Sequence, residues 1–212
     1  MTNKIQKTSD KKTFEPEDTQ ELREEFDLKL ENINKELYNS RFSESSRIIK
    51  LLIKQKLNCD LELVWTALMK QILSEINPNI TTEDLSEDNF YRSSKAAGKK
   101  FIRVTSYKPN EEFSIEWFSS EAHFTKTIQI AKRGEKTLVT YVQTVKGNKA
   151  KANMFEQVLR NNYLKSEFLN FKLTMLKIKK DLNLLSDKKV KNFDIIVNSI
   201  KIKISKIRLY HK

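Results

Sequence analysis

The sequence is poor in the residues that build tight turns, phosphate-binding loops, disulfides and metal sites. Its 212 residues include three glycines, three prolines, two histidines and one cysteine. The single AAGKK stretch follows no apolar strand and carries no Ser or Thr after its lysines, so it is not a P-loop. A lone cysteine cannot form an intramolecular disulfide. Cys59, His123 and His211 are too few and too far apart for a metal site, so we expect no metal and no other cofactor.

Long apolar runs are also lacking. Residues 1–17 are polar and lysine-rich, without the apolar centre of a secretory signal, and no stretch approaches the length of a membrane span. We therefore expect a cytoplasmic protein without a transmembrane segment. We expect residues 1–17 to form a disordered tail.

No motif in the sequence identifies a reaction. Cys59 has no histidine near it in the sequence and is expected to be a small residue at a joint between two elements. His123 could act as an acid or base only if it faced a cavity, and a histidine on the outer face of a sheet is the commoner case. We therefore assign no catalytic residue and favour a binding protein over an enzyme.

Charge is the most uneven property of the chain. The net charge is +12, and residues 145–212 alone hold 17 basic and 5 acidic side chains. A basic surface of this kind attracts RNA, the ribosome or an anionic membrane. The 32 lysines against 8 arginines would also follow from AT-rich codons, so both explanations stay open.

Apolar spacing predicts the order of the elements. Residues 17–38 have helical spacing, and Asp18 or Thr19 is the expected N-cap. This helix either docks on the domain or pairs with a second copy. In KLLIKQKLNCDLELVWTALMKQIL, residues 50–73, the period changes from strand to helix at Asn58–Asp60, and Asp60 is a good N-cap. The segment 81–88, which begins with TTED, predicts a second, short helix.

The second half of the chain reads as strands followed by helix. Residues 89–147 alternate in hydrophobicity between turn signals and predict a five-stranded antiparallel meander. Residues 148–185 predict one long helix, with Phe168 or Leu169 and Met175 or Leu176 facing inward. The apolar residues of 190–212 fit either a helix or a strand.

The segments KQKLNCDLELVWTAL and TLVTY, together with the long closing helix, resemble the helix-grip superfamily (SRPBCC), the START and Bet v 1-like proteins. Residues 46–185 more closely resemble an uncharacterised family of low-GC Gram-positive bacteria and mollicutes. The resemblance implies an α+β helix-grip fold, in which a curved antiparallel sheet wraps round the long C-terminal helix. The resulting domains are a tail at 1–17, a helical N-terminal extension at 18–45, the helix-grip domain at 46–185 and a basic C-terminal extension at 186–212.

The same resemblance implies binding of a hydrophobic small molecule or lipid between the sheet and the long helix. The side chains expected there are mostly aromatic: Trp65, Phe101, Phe113, Trp117, Ile128, Tyr141, Phe155, Leu159 and Tyr163. These residues would equally well form a filled core, and that alternative stays open. If the C-terminal extension contacts a polyanion, the expected residues are its cations: Lys188, Lys189, Lys191, Lys201, Lys203, Lys206 and Arg208.

Overall fold

The computed structural model describes residues 16–38, 48–93, 101–119, 122–147 and 154–209. Its helices and strands follow one another in the predicted order. The helices are α1 (Pro16–Tyr38), α2 (Leu61–Ile76), α3 (Met154–Asp181), α4 (Asp187–Lys191) and α5 (Phe193–Leu209). The strands are β1 (Ile48–Leu57), β2 (Phe90–Arg92), β3 (Phe101–Lys108), β4 (Glu112–Ser119), β5 (Ala122–Arg133) and β6 (Lys136–Gly147).

The strands form one six-stranded antiparallel sheet in the order β1-β6-β5-β4-β3-β2. The first strand pairs with the last, with Ile53 opposite Tyr141. Two of the predicted turns have the backbone conformation that their residues favour, since Asn110 and Gly134 have φ angles of 64° and 62°. The fold is thus α+β, and its topology is consistent with the helix-grip fold.

The joint between β1 and α2 is built as its sequence indicates. The Asp60 side chain accepts a hydrogen bond of 2.9 Å from the backbone N–H of Glu62, which caps α2. The Thr137 hydroxyl on β6 donates to the carbonyl oxygen of Cys59 at 2.8 Å. The joint is therefore tied to the sheet from which α2 departs. The TTED segment forms only a 3-10 turn, Thr82–Asp84, with a capping box.

One face of the sheet, here called the inner face, carries the main core together with α2 and α3. Along β4, β5 and β6 the buried apolar residues alternate, and they pack with α2 and with Phe171, Met175 and Ile178 of α3. A register shift between Val104 and Ser106 of β3 turns Tyr107 to this face, opposite Phe113. The inner face is the one that the resemblance assigns to a ligand.

The opposite, outer face carries α1. Phe26 of α1 is buried and makes edge-on contacts with Phe90 and Phe118, with 5.0 Å between ring centroids in each case. Arg103 of β3 reaches Asp27 of α1 at 2.9 Å. The helix therefore docks on its own sheet. It begins at Pro16, so the prediction that Asp18 or Thr19 caps it is wrong, and both lie in its first turn.

Residues 154–209 consist of the three helices α3, α4 and α5 joined by short turns. Asn183, at φ 55°, ends α3, and the backbone N–H of Leu184 closes the turn on the carbonyl of Lys179. Helix α5 packs against α3 with Val197 and Ile204 buried. Of the two interpretations of residues 190–212, the helix is correct as far as the described residues reach.

Candidate functional site

The interface between the inner face and α3 has two unlike halves. In one half, Phe113, Ile128, Val139 and Ile178 are each at most 3% exposed, and their packing is apolar and closed. In the other half, polar side chains project from β5, β6 and α3. Polar side chains in an apolar interface do not add to its stability as apolar ones would, so this second half is the candidate site.

A chain of hydrogen bonds crosses the second half. The Tyr141 hydroxyl donates to Gln143 Oε1 at 2.7 Å and lies 3.3 Å from Glu167 Oε2. Gln143 Nε2 donates to the Tyr163 hydroxyl oxygen at 2.9 Å. Gln143 is 1% exposed and Tyr141 is 4% exposed. We call Tyr141, Gln143, Tyr163 and Glu167 the polar cluster.

The two tyrosines of the polar cluster remain protonated. Burial, followed by the Glu167 carboxylate, raises the pKa of Tyr141 well above its ordinary value. The same two causes raise the pKa of Tyr163. Both hydroxyls therefore keep a proton to donate at any physiological pH.

Lys126 is the cation beside the polar cluster. It lies on β5 in register with Gln143 of β6 and Ile115 of β4, and it is half-buried. Its Nζ atom lies 5.9 Å from the centroid of the Trp117 ring and 5.6 Å from that of Tyr141. Within the described residues no carboxylate pairs with it.

Aromatic rings form a wall next to Lys126. Trp117 and Phe124 are stacked, with ring centroids 5.3 Å apart and planes 9° apart, and Tyr163 lies 6.0 Å from Phe124. Phe124, Lys126 and Tyr163 face the interface but are only half-buried. The polar half therefore opens to solvent at this edge, whereas the apolar half does not.

A second concave feature lies beside α2. Trp65 and Tyr107, stacked with centroids 6.4 Å apart, border a half-open groove of about 480 Å³. Its other walls are Leu73, Ile80 and several hydroxyl side chains. Trp65 thus borders the groove and packs against Tyr107 of β3.

The structure places the other predicted ligand residues in several environments. Trp117, Tyr141 and Tyr163 come together at the polar half, while Phe113 and Ile128 belong to the closed half. Phe101 lies on the outer face with the aromatic residues under α1, since its neighbour Ile102 is the inward residue of β3. It is therefore left out of the site. Two further predicted residues lie in the first turns of α3, and their side chains are outside the described set: Phe155 and Leu159.

His123 also lies on the outer face. It is 4% exposed, its Nε2 atom is 2.8 Å from Glu116 Oε2, and its ring stacks on Phe118. It does not face the polar cluster, so the condition set for an acid–base role is not met. In the part of the chain that the structure describes, no three His, Cys, Asp or Glu side chains are grouped as metal ligands.

Three residues of the site were not predicted from the sequence: Lys126, Gln143 and Glu167. A signal for two of them was present. Lys126 stands between Phe124 and Ile128, and Gln143 between Tyr141 and Val145, so each occupies a core-facing position of its strand. A polar residue at such a position marks either a buried network or a site.

The predicted polyanion contacts are exposed on α4 and α5. They are Lys188, Lys189, Lys191, Lys201, Lys203 and Lys206; the side chain of Arg208 lies outside the described set. Three aliphatic side chains are exposed among them, Val190 at 48%, Ile195 at 68% and Ile202 at 56%. None of the described helices is long and apolar enough to cross a membrane.

The fold and the polar half together define a class: an α+β domain in which a sheet and a long helix enclose an apolar interface with a polar opening. The chain belongs to the family described as "Domain of unknown function (DUF3284)", whose model matches residues 51–163. The search of curated proteins found no match.

Solved structures with a similar fold include CalU16 from Micromonospora echinospora, at 13% identity and TM-score 0.42, covering 62% of this chain and 82% of that one. MLL2253 from Mesorhizobium loti has 13% identity and TM-score 0.46, covering 65% and 99%. A conserved protein of unknown function, EF2215 from Enterococcus faecalis, has 12% identity and TM-score 0.45, covering 84% and 98%. No residue role is carried over from proteins this distant.

Proposed function

We propose that the protein is a non-enzymatic binding protein that holds a hydrophobic small molecule or lipid at the polar half of the interface between the sheet and α3. The observation that carries this proposal is the polar cluster, which lies in an otherwise apolar interface and at its open edge. The resemblance to the low-GC Gram-positive and mollicute family, and the domain boundaries at 46 and 185, stay predictions beside it.

The geometry supports binding in two ways. The half-buried Phe124, stacked on the buried Trp117, offers a flat apolar wall, and burial of a ligand against it contributes about 25 cal/mol per Å² of apolar surface. Lys126 and the Tyr163 hydroxyl offer polar groups that orient a polar end, and the buried Gln143 holds Tyr163 in place. Few groups of this kind in an apolar surround are the usual composition of a small-molecule site.

Two measurements test the proposal. A native mass spectrum after a high-salt wash, followed by a denaturing spectrum, detects a bound molecule of a few hundred daltons that is lost on unfolding. Titration with the neutral fluorescent probe N-phenyl-1-naphthylamine then locates the site. We expect Phe124→Ala to weaken probe binding about tenfold, because one ring contact in an apolar wall is worth about 1.4 kcal/mol.

Phe118→Ala is the matched control. Phe118 is also a half-buried aromatic residue of the sheet, one strand away, but it faces α1. Its loss should leave probe affinity within about twofold. Equal effects of the two substitutions, or no binding of any probe, would refute the site.

A second function is favoured by the surface of α4 and α5. Exposed Ile195 and Ile202 lie on the side of α5 opposite Val197 and Ile204. Lys201 and Lys203 flank Ile202, and Lys191 precedes Ile195 by four residues. Cations together with exposed aliphatic side chains suit an anionic membrane better than RNA, which offers nothing for the isoleucines. We propose that this surface docks on an anionic bilayer.

Flotation with phosphatidylserine vesicles tests membrane docking. The double variant Ile195→Ser, Ile202→Ser should lose most of its binding. Leu63→Ser should not, since Leu63 of α2 has the same exposure of 56% as Ile202 but no lysine on either side in the sequence. Equal binding to phosphatidylcholine vesicles, or binding to a ribohomopolymer that falls steeply with salt while vesicles are ignored, would contradict it.

A further inference from the structure

The hydrogen-bonding groups without a partner beside the aromatic wall are donors. Glu167 Oε1 accepts from Asn170 Nδ2 at 3.1 Å, and Glu167 Oε2 lies 3.3 Å from the Tyr141 hydroxyl, whose one proton is donated to Gln143. The Tyr163 oxygen accepts from Gln143, and no described acceptor takes its own proton. Lys126 has three N–H donors and no carboxylate partner within the described ranges. The free groups at the opening are thus an ammonium and a hydroxyl donor.

The unpaired donor that matters most is the ammonium of Lys126, because of the position of this residue in the sheet. A lysine on the core-facing side of a strand with neighbours on both sides is costly, because its ammonium loses water without gaining an anion. The Trp117 and Tyr141 rings offset part of that cost. An anion at the opening would complete the pairing, and Tyr163 is placed to donate a second hydrogen bond to it.

We propose that the ligand is a monocarboxylate with an apolar body, whose carboxylate is bound by Lys126 and Tyr163 while its body lies against Phe124, the ring that stacks on Trp117. This inference rests on the proposed binding function and adds the chemistry of the ligand. A single negative charge fits best, because Glu167 already supplies one carboxylate to the same cluster and a dianion would be repelled.

The test is displacement of N-phenyl-1-naphthylamine by decanoate and by decanol, which share a ten-carbon chain and differ in charge. Decanoate should displace the probe at about tenfold lower concentration, which corresponds to about 1.4 kcal/mol, because hydrogen bonds to a charged group are stronger than those to a neutral one. Lys126→Met should abolish this preference and leave decanol within about twofold, whereas Lys126→Arg, which keeps the charge, should retain it.

Lys132→Met is the matched control, because Lys132 lies on the same strand and is exposed. It should keep the preference for decanoate. Equal displacement by the two compounds in the wild type, or a preference that survives Lys126→Met, overturns the carboxylate assignment and leaves the binding function standing. A probe that never binds the wild type overturns both. Circular dichroism of each variant establishes that it is folded.

Discussion

The substitution Lys126→Met tests whether the ammonium of Lys126 stabilises the fold or serves to bind a ligand. In the unliganded protein Lys126 is half-buried, and its ammonium lies near two rings without a carboxylate partner among the described residues. Its neighbours across the strands are Ile115 and Gln143. Methionine keeps an unbranched stem of nearly the same length and a sulfur that packs well against rings. The substitution therefore removes a poorly solvated charge without leaving a cavity.

The expected change in the free energy of unfolding of Lys126→Met is the difference between the interactions lost and the cost relieved. Two ring contacts at 5.6 and 5.9 Å are lost, at about 0.5–1 kcal/mol each for partly solvated sites. The gain is that an ammonium without an anion partner among the described residues no longer occupies a core-facing position, about 2–3 kcal/mol on the mutational scale for a polar group that lacks a hydrogen bond. The net expectation is that the free energy of unfolding rises by about 1 kcal/mol.

Urea denaturation followed by circular dichroism measures this change. With a slope of about 2 kcal/mol per molar urea, the midpoint should rise by about 0.5 M. Lys132→Met should change the free energy by less than about 0.5 kcal/mol, as expected for an exposed residue. A fall of 1 kcal/mol or more in Lys126→Met would show that the ammonium stabilises the fold, and the reasoning about an unpaired charge would be wrong.

Three further substitutions test other parts of the structure. Burial raises the pKa of Tyr141, so the folded state keeps its proton while the unfolded state loses it near pH 10. The stabilisation by this proton difference is fully present below about pH 10, and above that pH the free energy of unfolding falls by up to about 1.4 kcal/mol per pH unit. Tyr141→Phe should therefore show a shallower alkaline fall in urea stability than the wild type. Phe26→Ala should lower the free energy of unfolding by about 3–5 kcal/mol, whereas Leu28→Ala, at 59% exposure on the same helix, should change it little. Asp60→Ala should cost about 1 kcal/mol through the lost N-cap of α2, and Asp60→Asn should restore most of it.

The strands were predictable because their surroundings differ on the two sides. Each strand of the meander has one face on the main core, so its apolar residues alternate. The alternation is interrupted once, by the register shift between Val104 and Ser106. A strictly alternating pattern would assign Tyr107 to the outer face, whereas it lies on the inner face. The contact of Tyr107 with Trp65 depends on that shift, so it could not be predicted from the spacing of apolar residues.

The inward face of α3 was predicted less well, for a physical reason. The helix lies between the sheet and α5, so it is apolar on more than one side and its period is blurred. Of the alternatives Phe168 or Leu169, Phe168 is 37% exposed and Leu169 is half-buried; of Met175 or Leu176, Met175 is buried. Phe171 and Ile178, which were not predicted, are also buried. Only knowledge that α5 covers α3 would have separated the two faces.

The C-terminal segment shows which residue decides between helix and strand. In a strand, Ile200, Ile202 and Ile204 would share one face. In the structure Ile204 is 7% exposed and Ile202 is 56% exposed, which only the helical period allows. The sequence carries both patterns, and the apolar surface of α3 selects the helix.

The two proposed sites use different parts of α3 and should therefore act independently. The polar cluster takes Tyr163 and Glu167 from its N-terminal half, while Lys180 near its C-terminal end contacts Phe193 of α5, with 4.0 Å between its Nζ atom and the ring centroid. Changes at separated positions without shared partners usually add. The double variant Ile195→Ser, Ile202→Ser should thus bind decanoate within about twofold of the wild type, and Lys126→Met should still float with anionic vesicles. If vesicles instead change the affinity of the wild type for decanoate, and decanoate changes vesicle binding by the same factor, α3 couples the two sites, because such linkage must be reciprocal.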